Sequence, residues 1–79
     1  MKYVYILQSE SDPDRYYVGL TDDLRRRLSQ HNSAAVSHTS KYVPWRLKTF
    51  VGFSEDQAAI AFERYLKTAS GRAFAKKRL

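Results

Sequence analysis

The sequence predicts an α+β fold in which helices flank a three-stranded antiparallel sheet. Residues 2–8, 15–20 and 44–51 have the alternating apolar and aromatic pattern of strands. Two other segments have helical periodicity, and a short basic helix closes the chain, so the element order is β-β-α-β-α-α. This order buries one sheet against packed helices. Because 79 residues suffice for one domain, we expect a single domain over residues 1–79.

The first two strands should form a hairpin. Residues 2–8 place Tyr5 and Leu7 on one face of the strand and Val4 and Ile6 on the other. The connection to residues 15–20 is short and contains Ser-Asp-Pro-Asp, a strong turn signal. Short connections join antiparallel strands, so these two should pair directly.

A helix and a loop should follow the hairpin. The run Thr21-Asp22-Asp23 offers an N-cap and acidic residues for a first helical turn, and the helix should run to about His31. Asn32-Ser33 ends it. Residues 33–41 are small and polar and are predicted to form a loop. The third strand then begins at Pro44, where a missing N–H is tolerated, and Gly52 ends it.

Two helices are predicted in the last third of the chain. Ser54 with Gln57 is a capping-box pattern, which indicates a helix that runs to about Ala69. Ser70-Gly71 should break that helix, and a short basic helix should cover residues 72–79.

The charge of the chain points to a polyanionic partner. Fourteen Lys and Arg against eight Asp and Glu give a net charge of +6, and nucleic acid is the commonest cytoplasmic polyanion. Arg25, Arg26 and Arg27 form one basic run. A second cluster occupies the last sixteen positions: Arg64, Lys67, Arg72, Lys76, Lys77 and Arg78. Either cluster could also be an ordinary solvated helix face.

The composition excludes several other classes of protein. There is no cysteine, which excludes disulfides and thiolate metal sites and argues against a secreted mini-protein. A zinc site is disfavoured because only His31 and His38 could supply nitrogen ligands. The apolar run at the start is too short for a signal peptide or a membrane span, so we expect a cytoplasmic protein without a membrane partner.

Two tyrosines on the predicted hairpin are candidates for catalysis. Tyr5 and Tyr17 lie on adjacent strands, and such a pair is often only good cross-strand packing. Two phenols that converge could instead act on a substrate. A phenol has a pKa near ~10 and becomes a base only if a cation or hydrogen-bond partner stabilises the phenolate.

The first helix could supply such partners. Leu24 and Leu28 define its apolar stripe, His31 falls inside the stripe and Arg27 lies on its edge. Arg27 and His31 are four residues apart and therefore neighbours on one face. Taken singly, His31 could be a satisfied core histidine and Arg27 a snorkelling surface cation.

Glu63 completes the set of candidate groups. It lies just beside the apolar arc predicted for the second long helix, namely Ala58, Ala61, Phe62, Tyr65, Leu66 and Ala69. It could pair with Arg64 or Lys67, or it could be a ligand for Mg²⁺, which is commonly held by one or two carboxylates. A phosphodiester nuclease needs a base, a cation and a metal. Tyrosines, Arg27 and Glu63 could supply all three.

These residues resemble the motifs of the GIY-YIG nucleases. Tyr3-Val4-Tyr5, eleven residues, and then Tyr17-Val18-Gly19 looks like the motif pair that names the family. The helix residues 21–32 and the segment 61–67 match the family's helices with their arginine, histidine and glutamate. Residues 38–45 look like the corresponding segment of the small stand-alone UPF0213 members. The resemblance covers essentially the whole chain.

The resemblance implies a metal-dependent DNA endonuclease with one Mg²⁺ or Mn²⁺ ion. It implies that Tyr5 or Tyr17 is the general base, and we favour Tyr5. Arg27 would stabilise the phosphate, His31 would hydrogen-bond a tyrosine or the phosphate, and Glu63 would hold the metal. The partner would be DNA, branched or single-stranded forms included. We expect nucleic-acid contacts from six further residues: Arg25, His38, Lys41, Arg72, Lys76 and Lys77.

The sequence departs from the family pattern at two places. Tyr3 replaces the glycine of the first motif, which removes backbone freedom. No asparagine follows Asn32, so the asparagine that often completes the site has no match, and Ser70 is the candidate to replace it. These departures predict weak activity, and we expect low sequence specificity.

Two other functions remain open. The basic last segment with interleaved aromatic residues could make the chain a non-catalytic DNA- or RNA-binding module. Apolar residues such as Ile60, Tyr65 or Phe74 could instead form an interface with a protein partner, which would make the chain a structural subunit. We expect no small-molecule cofactor, and a monomer or weak homodimer.

Overall fold

The computed structural model describes residues 1–33 and 35–79. Three strands form an antiparallel sheet in the order β2-β1-β3: β1 (Lys2–Ser9), β2 (Tyr16–Thr21) and β3 (Trp45–Phe53). The three helices are α1 (Leu24–Asn32), α2 (Asp56–Leu66) and α3 (Ala69–Arg78). The predicted α+β class and the order β-β-α-β-α-α are therefore confirmed. None of the helices in these described ranges is long and apolar enough to cross a membrane.

The central strand β1 separates two apolar layers. Its residues Val4 and Ile6 pack with α2, whose Ala59 and Leu66 are buried against them. On the opposite face, Tyr5 and Leu7 of β1 form a second cluster with Trp45. Helix α1 packs against this cluster through Leu24 and Leu28. The predicted alternation of faces is confirmed, and it explains why β1 is buried on both sides.

Helix α1 begins as the sequence predicted. Asp23 is its N-cap, and its carboxylate accepts a hydrogen bond from the backbone N–H of Arg26 at 3.0 Å. The segment after α1 is not entirely irregular, because a one-turn 3₁₀ helix occupies Ser40–Tyr42 within the predicted loop. Ala34, which also belongs to that predicted loop, lies outside the described residues.

The end of β3 and the start of α2 differ from the prediction. Gly52 does not end the strand, which continues to Phe53, and the ring of Phe53 packs 5.6 Å from that of Phe62. Because the chain stays extended longer than predicted, Ser54 lies too early to cap α2. Glu55 is the N-cap and makes no side-chain capping bond, so the predicted capping box is wrong.

The predicted helix break at Ser70-Gly71 is also wrong. Helix α2 ends at Leu66, and Thr68 caps α3 by accepting a hydrogen bond from the N–H of Gly71 at 3.1 Å. Gly71 is needed for close approach of the two helices, since a Cβ there would lie 1.8 Å from the carbonyl oxygen of Tyr65. The glycine therefore marks a helix contact and not a helix end.

The buried side of α2 is rotated relative to the predicted arc. Ala59 and Leu66 are buried, and Phe62 and Glu63 lie between them on the same side, partly buried. Four members of the predicted arc are exposed: Ala58, Ala61, Tyr65 and Ala69. Alanines on several sides of the helix give a weak directional signal, which is why the arc was misplaced. Glu63 thus belongs to the inner side of the helix.

Candidate active site

The phenol of Tyr5 joins the central strand to helix α1. The residue is only 2% exposed, and its hydroxyl lies 3.0 Å from Nε2 of His31. Nε of Arg27 donates a second hydrogen bond to the same hydroxyl at 3.3 Å. The i, i+4 spacing of Arg27 and His31 therefore places both groups on one phenol oxygen.

Tyr17 adds a third ring to this cluster. Its ring centroid lies 4.8 Å from that of His31 and 6.3 Å from that of Tyr5. Tyr17 lies opposite Leu7 in the register of β1 and β2, two positions from the pair of Tyr5 with Gly19. The structure therefore brings together four of the five predicted catalytic residues: Tyr5, Tyr17, Arg27 and His31.

Gly19 makes room for the ring of Tyr5. The two residues face each other across the β1–β2 pair, and a Cβ on Gly19 would lie 2.3 Å from the Tyr5 hydroxyl oxygen. Real Cβ atoms do not approach that closely, so a side chain here would displace the ring. The sequence showed this glycine within its motif, but only the strand register reveals what it does.

Thr39 fixes the orientation of the His31 ring. Its hydroxyl lies 2.7 Å from Nδ1 of His31 and donates to the carbonyl oxygen of Val36 at 3.2 Å. Because the hydroxyl proton goes to Val36, Thr39 accepts from Nδ1–H. Nε2 of His31 is then an acceptor, and the Tyr5 hydroxyl donates to it. Sequence reasoning missed Thr39, since a polar residue in a predicted loop gives no sign that it is buried.

The ionisation of this cluster follows from its burial. Burial, with a smaller contribution from the positive charge of Arg27, lowers the pKa of His31, so its ring is neutral at neutral pH. Burial is also the largest cause that raises the pKa of Tyr5, against the opposing hydrogen bond from Arg27. The pKa of Arg27 is raised, above all by its hydrogen bond to Tyr5, so Arg27 stays a cation. The resting site is therefore a neutral phenol between a neutral imidazole and a guanidinium.

Glu63 approaches the cluster from the other layer. It lies on α2, its side chain is 16% exposed, and Nζ of Lys67 lies 2.6 Å from its carboxylate. The predicted alternative of an ion pair is therefore observed, with Lys67 as the partner. The negative charge of the carboxylate still acts on Tyr5, where it is the smallest of the causes that raise the pKa of that phenol.

The six predicted nucleic-acid-binding residues lie in three places. Arg25 is exposed on α1, beside a shallow depression that Leu28 and Ser29 also line. His38 and Lys41 are exposed in the segment between α1 and β3, where Lys41 lies over the ring of Tyr42. The other three are exposed on α3: Arg72, Lys76 and Lys77. Ser70, the proposed replacement for the asparagine, is exposed in the first turn of α3.

The lowered pKa of His31 predicts that acid destabilises the fold. As the pH falls below about 6.5, the histidine of the unfolded chain takes up a proton while the buried ring does not. The unfolded state then binds more protons, so the free energy of unfolding decreases until the pH reaches the lowered pKa of the folded ring. Urea unfolding between about pH 7 and 5 measures this decline.

A matched pair of variants isolates the contribution of His31. The decline should persist in His38→Gln, because His38 is exposed. In His31→Gln the stability should be lower overall but should change less over the same pH range. Equal pH profiles of the two variants would contradict the assignment.

Comparisons with known proteins identify a family and relatives similar to this chain. A family model described as "GIY-YIG catalytic domain" matches residues 1–78. The chain is 40% identical over 65 residues to a "Structure-specific endonuclease subunit SLX1 homolog" of Giardia intestinalis, a match that covers 77% of this chain and 18% of that protein. It is 36% identical over 66 residues to a "UPF0213 protein" of Streptococcus pneumoniae, over 82% of this chain and 65% of that protein.

A solved structure has a similar fold. The solution NMR structure of a UPF0213 protein from Bacillus halodurans aligns with a TM-score of 0.57 at 31% identity, over 96% of this chain and 81% of that chain. The SLX1 relatives are much longer, and the chain spans about a fifth of their length.

Proposed function

The chain belongs to the GIY-YIG family, and from that premise we propose that it is a metal-dependent endonuclease that hydrolyses DNA phosphodiester bonds. The single observation that carries the proposal is the hydrogen-bonded array of Arg27, Tyr5 and His31 beside Tyr17. A buried phenol held between a cation and an imidazole acceptor is suited to proton transfer. The SLX1 relatives are named structure-specific endonucleases, which supports DNA as the substrate.

In the proposed mechanism Tyr5 is the general base, and His31 accepts the proton that the Tyr5 phenol releases. Its phenol proton passes to Nε2 of His31 along the 3.0 Å hydrogen bond, while the phenol oxygen takes a proton from the attacking water. The hydroxide that forms attacks phosphorus, the bond from phosphorus to the leaving oxygen breaks, and that oxygen takes a proton from solvent water. Arg27 stabilises the developing phenolate and the charge on the phosphate. Tyr17, beside His31, would orient the water or a phosphate oxygen.

Glu63 would hold the metal ion in this mechanism. Within residues 1–33 and 35–79, no group of three or more His, Cys, Asp or Glu side chains is arranged to bind a metal. A single carboxylate nevertheless suits Mg²⁺ or Mn²⁺, which takes its remaining ligands from water and substrate phosphate. When bound, the ion would supply Lewis-acid stabilisation of the charge on the phosphate. Lys67 neutralises Glu63 in the free protein and would give way to that positive charge.

The proposal predicts that Glu63→Gln nearly abolishes cleavage. The amide keeps the shape of the side chain but loses the anionic ligand, and the loss of several kcal/mol of stabilisation corresponds to a rate decrease of ~100-fold or more. Nicking of supercoiled plasmid and of branched DNA with Mg²⁺ or Mn²⁺ measures the effect. Glu55→Gln is the matched control, since Glu55 is exposed at the start of the same helix. Equal cutting by the two variants, or cutting that persists in EDTA, would overturn the proposal.

A non-catalytic nucleic-acid-binding module is the second candidate. The observation in its favour is the close ion pair of Glu63 with Lys67, which occupies the carboxylate proposed to hold the metal. This alternative predicts salt-sensitive binding to DNA that persists in EDTA, with no Glu63-dependent cutting under any condition.

A further inference from the structure

A groove of about 750 Å³ lies between strand β2 and helix α3, on the face of the sheet that carries Val4 and Ile6. Its floor is apolar and consists of Ile6, Val18, Leu66 and Ala75. Its rim is basic and consists of Arg15, Lys48, Lys67, Arg72 and Lys76, with Asp14 as the one acid that lines it. The groove therefore combines an apolar surface with a ring of cations.

Two of the rim cations are available to a ligand. Arg72 and Lys76 are exposed, four residues apart on α3, and so project from the same face of the helix. Over residues 1–33 and 35–79, neither forms an ion pair with an acid. Arg15 is already engaged, by an ion pair with Asp12 at 3.5 Å, and Lys48 donates to the backbone oxygen of Leu79 at 2.6 Å.

The groove adjoins the candidate active site. Tyr17 belongs to the edge strand β2 and lines the groove, while its ring packs on the opposite face of the sheet, with its centroid 4.8 Å from that of His31. Lys67 also lines the groove, and its ammonium group binds Glu63 at 2.6 Å. A DNA strand whose phosphate lies at the catalytic cluster would therefore reach the groove by passing over the edge strand β2.

The aromatic side chain of Tyr16 stands at the edge of the groove. Tyr16 lines it while remaining 53% exposed; its hydroxyl accepts a hydrogen bond from Nε2 of Gln8 at 3.3 Å, which leaves the exposed ring able to stack on a flat group. Exposed aromatic rings beside rows of cations are the usual means of binding single-stranded nucleic acid. Bases in a duplex are already stacked and paired, and cannot reach an apolar floor of this size.

We propose that this groove binds the unpaired DNA strand next to the scissile phosphate. Its phosphates bind Arg72 and Lys76, one base stacks on Tyr16, and the neighbouring base lies on the apolar floor. The proposal rests on the proposed nuclease function and adds to it a substrate class, namely DNA in which a single-stranded segment adjoins the cleavage point. The groove thereby selects for the structure of DNA and not for its sequence.

Binding without metal tests the charged rim. Fluorescence anisotropy in EDTA compares a labelled single-stranded oligonucleotide with a blunt duplex. The double variant Arg72→Ala/Lys76→Ala should weaken single-strand binding about tenfold and reduce the salt-dependence slope by about 1.4, at 0.7 per lost phosphate contact. The control Arg64→Ala/Arg78→Ala removes the same charge from α2 and α3 outside the groove. It should weaken the binding of both DNA forms equally, and by less than the groove variant weakens single-strand binding. Equal behaviour of the two double variants would overturn the proposal.

Binding also tests the aromatic edge. Tyr16→Ala should weaken single-strand binding about fivefold or more and leave duplex binding unchanged, because stacking on the ring is lost. Tyr16→Phe keeps the ring and should restore the affinity. Since Tyr16 is half exposed, neither change threatens the fold, and circular dichroism verifies this. Single-strand binding by Tyr16→Ala at the affinity of the unaltered protein would overturn the proposal.

The failure of this proposal is distinguishable from that of the nuclease function. Binding in EDTA does not depend on cutting, and Glu63→Gln should retain single-strand binding while it loses cleavage. If cutting depends on Glu63 but the groove variants bind single-stranded DNA like the unaltered protein, the groove proposal alone would be overturned. If the groove variants lose single-strand binding but no cutting depends on Glu63, the proposed nuclease function would be overturned. The placement of the groove beside a cleaved phosphate would then be overturned as well.

Discussion

Replacement of Gly19 by alanine is expected to lower both the stability and the cleavage rate of the protein. The new Cβ would lie 2.3 Å from the hydroxyl oxygen and 2.4 Å from Cζ of Tyr5, so the ring must move. Overpacking of this kind costs about 1–3 kcal/mol, and each kcal/mol lowers Tm by roughly 4–8 °C in a domain of this size. Displacement of the phenol from His31 and Arg27 should slow cleavage by about 100-fold.

Gly52→Ala is the matched control for this prediction. A Cβ on Gly52 would meet Sδ of Met1 at 2.8 Å and Cε1 of Tyr3 at 3.1 Å, but the flexible end of Met1, which is 72% exposed, can move aside and the Tyr3 ring need shift only by a few tenths of an ångström. Both glycines lie in strands of the same sheet and neither has a positive φ, so backbone effects are alike. Thermal unfolding by circular dichroism and initial nicking rates measure both effects. A Gly19→Ala protein as stable and as active as Gly52→Ala would contradict the role given to Gly19.

Replacement of Arg27 by alanine is expected to lower the cleavage rate by about 10²–10³-fold with a small effect on DNA binding. The guanidinium is the cation that bonds the Tyr5 hydroxyl, and removal of one such donor from a developing anion typically has this effect. The hydrogen bond and the charge of Arg27 both lower the pKa of Tyr5. Without them that pKa rises further, so the phenol becomes harder to deprotonate.

Arg26→Ala is the control for Arg27. Arg26 is exposed on the same helix and pairs with Asp22 at 3.3 Å, an exposed ion pair that contributes little to stability. Its loss should leave the cleavage rate within about twofold, since surface changes of this kind have small effects. Single-turnover rates at saturating DNA separate the chemical step from binding. If Arg27→Ala slows binding but not the single-turnover rate, Arg27 is a DNA-binding residue and the proposed mechanism is wrong.

The secondary structure could be predicted wherever local signals and packing agree. The alternation in β1 identified both of its faces, and the Asp23 cap marked the start of α1. The signals around α2 failed because tertiary contacts outweighed them. The capping pattern at Ser54 was overridden when β3 continued to Phe53, and Gly71 proved to be a point of helix contact.

The candidate site could be predicted in part. Helical spacing brought Arg27 and His31 to one face, and the strand pair brought Tyr5 and Tyr17 close. The supporting contacts could not be predicted, because they join residues that are distant in sequence or lie in irregular segments. Thr39 is one example, since its hydrogen bond to His31 depends on the path of the segment after α1.

The basic groove could also be predicted only in part from the sequence. The basic residues of the last segment were visible in the sequence as one cluster. The structure divides them, because Arg72 and Lys76 line the groove while Lys77 lies outside it. Helical periodicity alone implies that neighbouring lysines point in different directions, but it cannot say which side faces a cavity.

The division of the site between two layers has a consequence during protein synthesis. The cluster of Tyr5, Tyr17, Arg27 and His31 belongs to β1, β2 and α1, which are synthesised before α2, whereas Glu63 belongs to α2 on the opposite layer. Under the proposed roles, an incomplete chain can present its tyrosines to DNA but lacks the group that holds the metal. Local unfolding of α2 in the finished protein would have the same result. Under the proposed roles, cleavage of DNA therefore requires a chain in which both layers have folded.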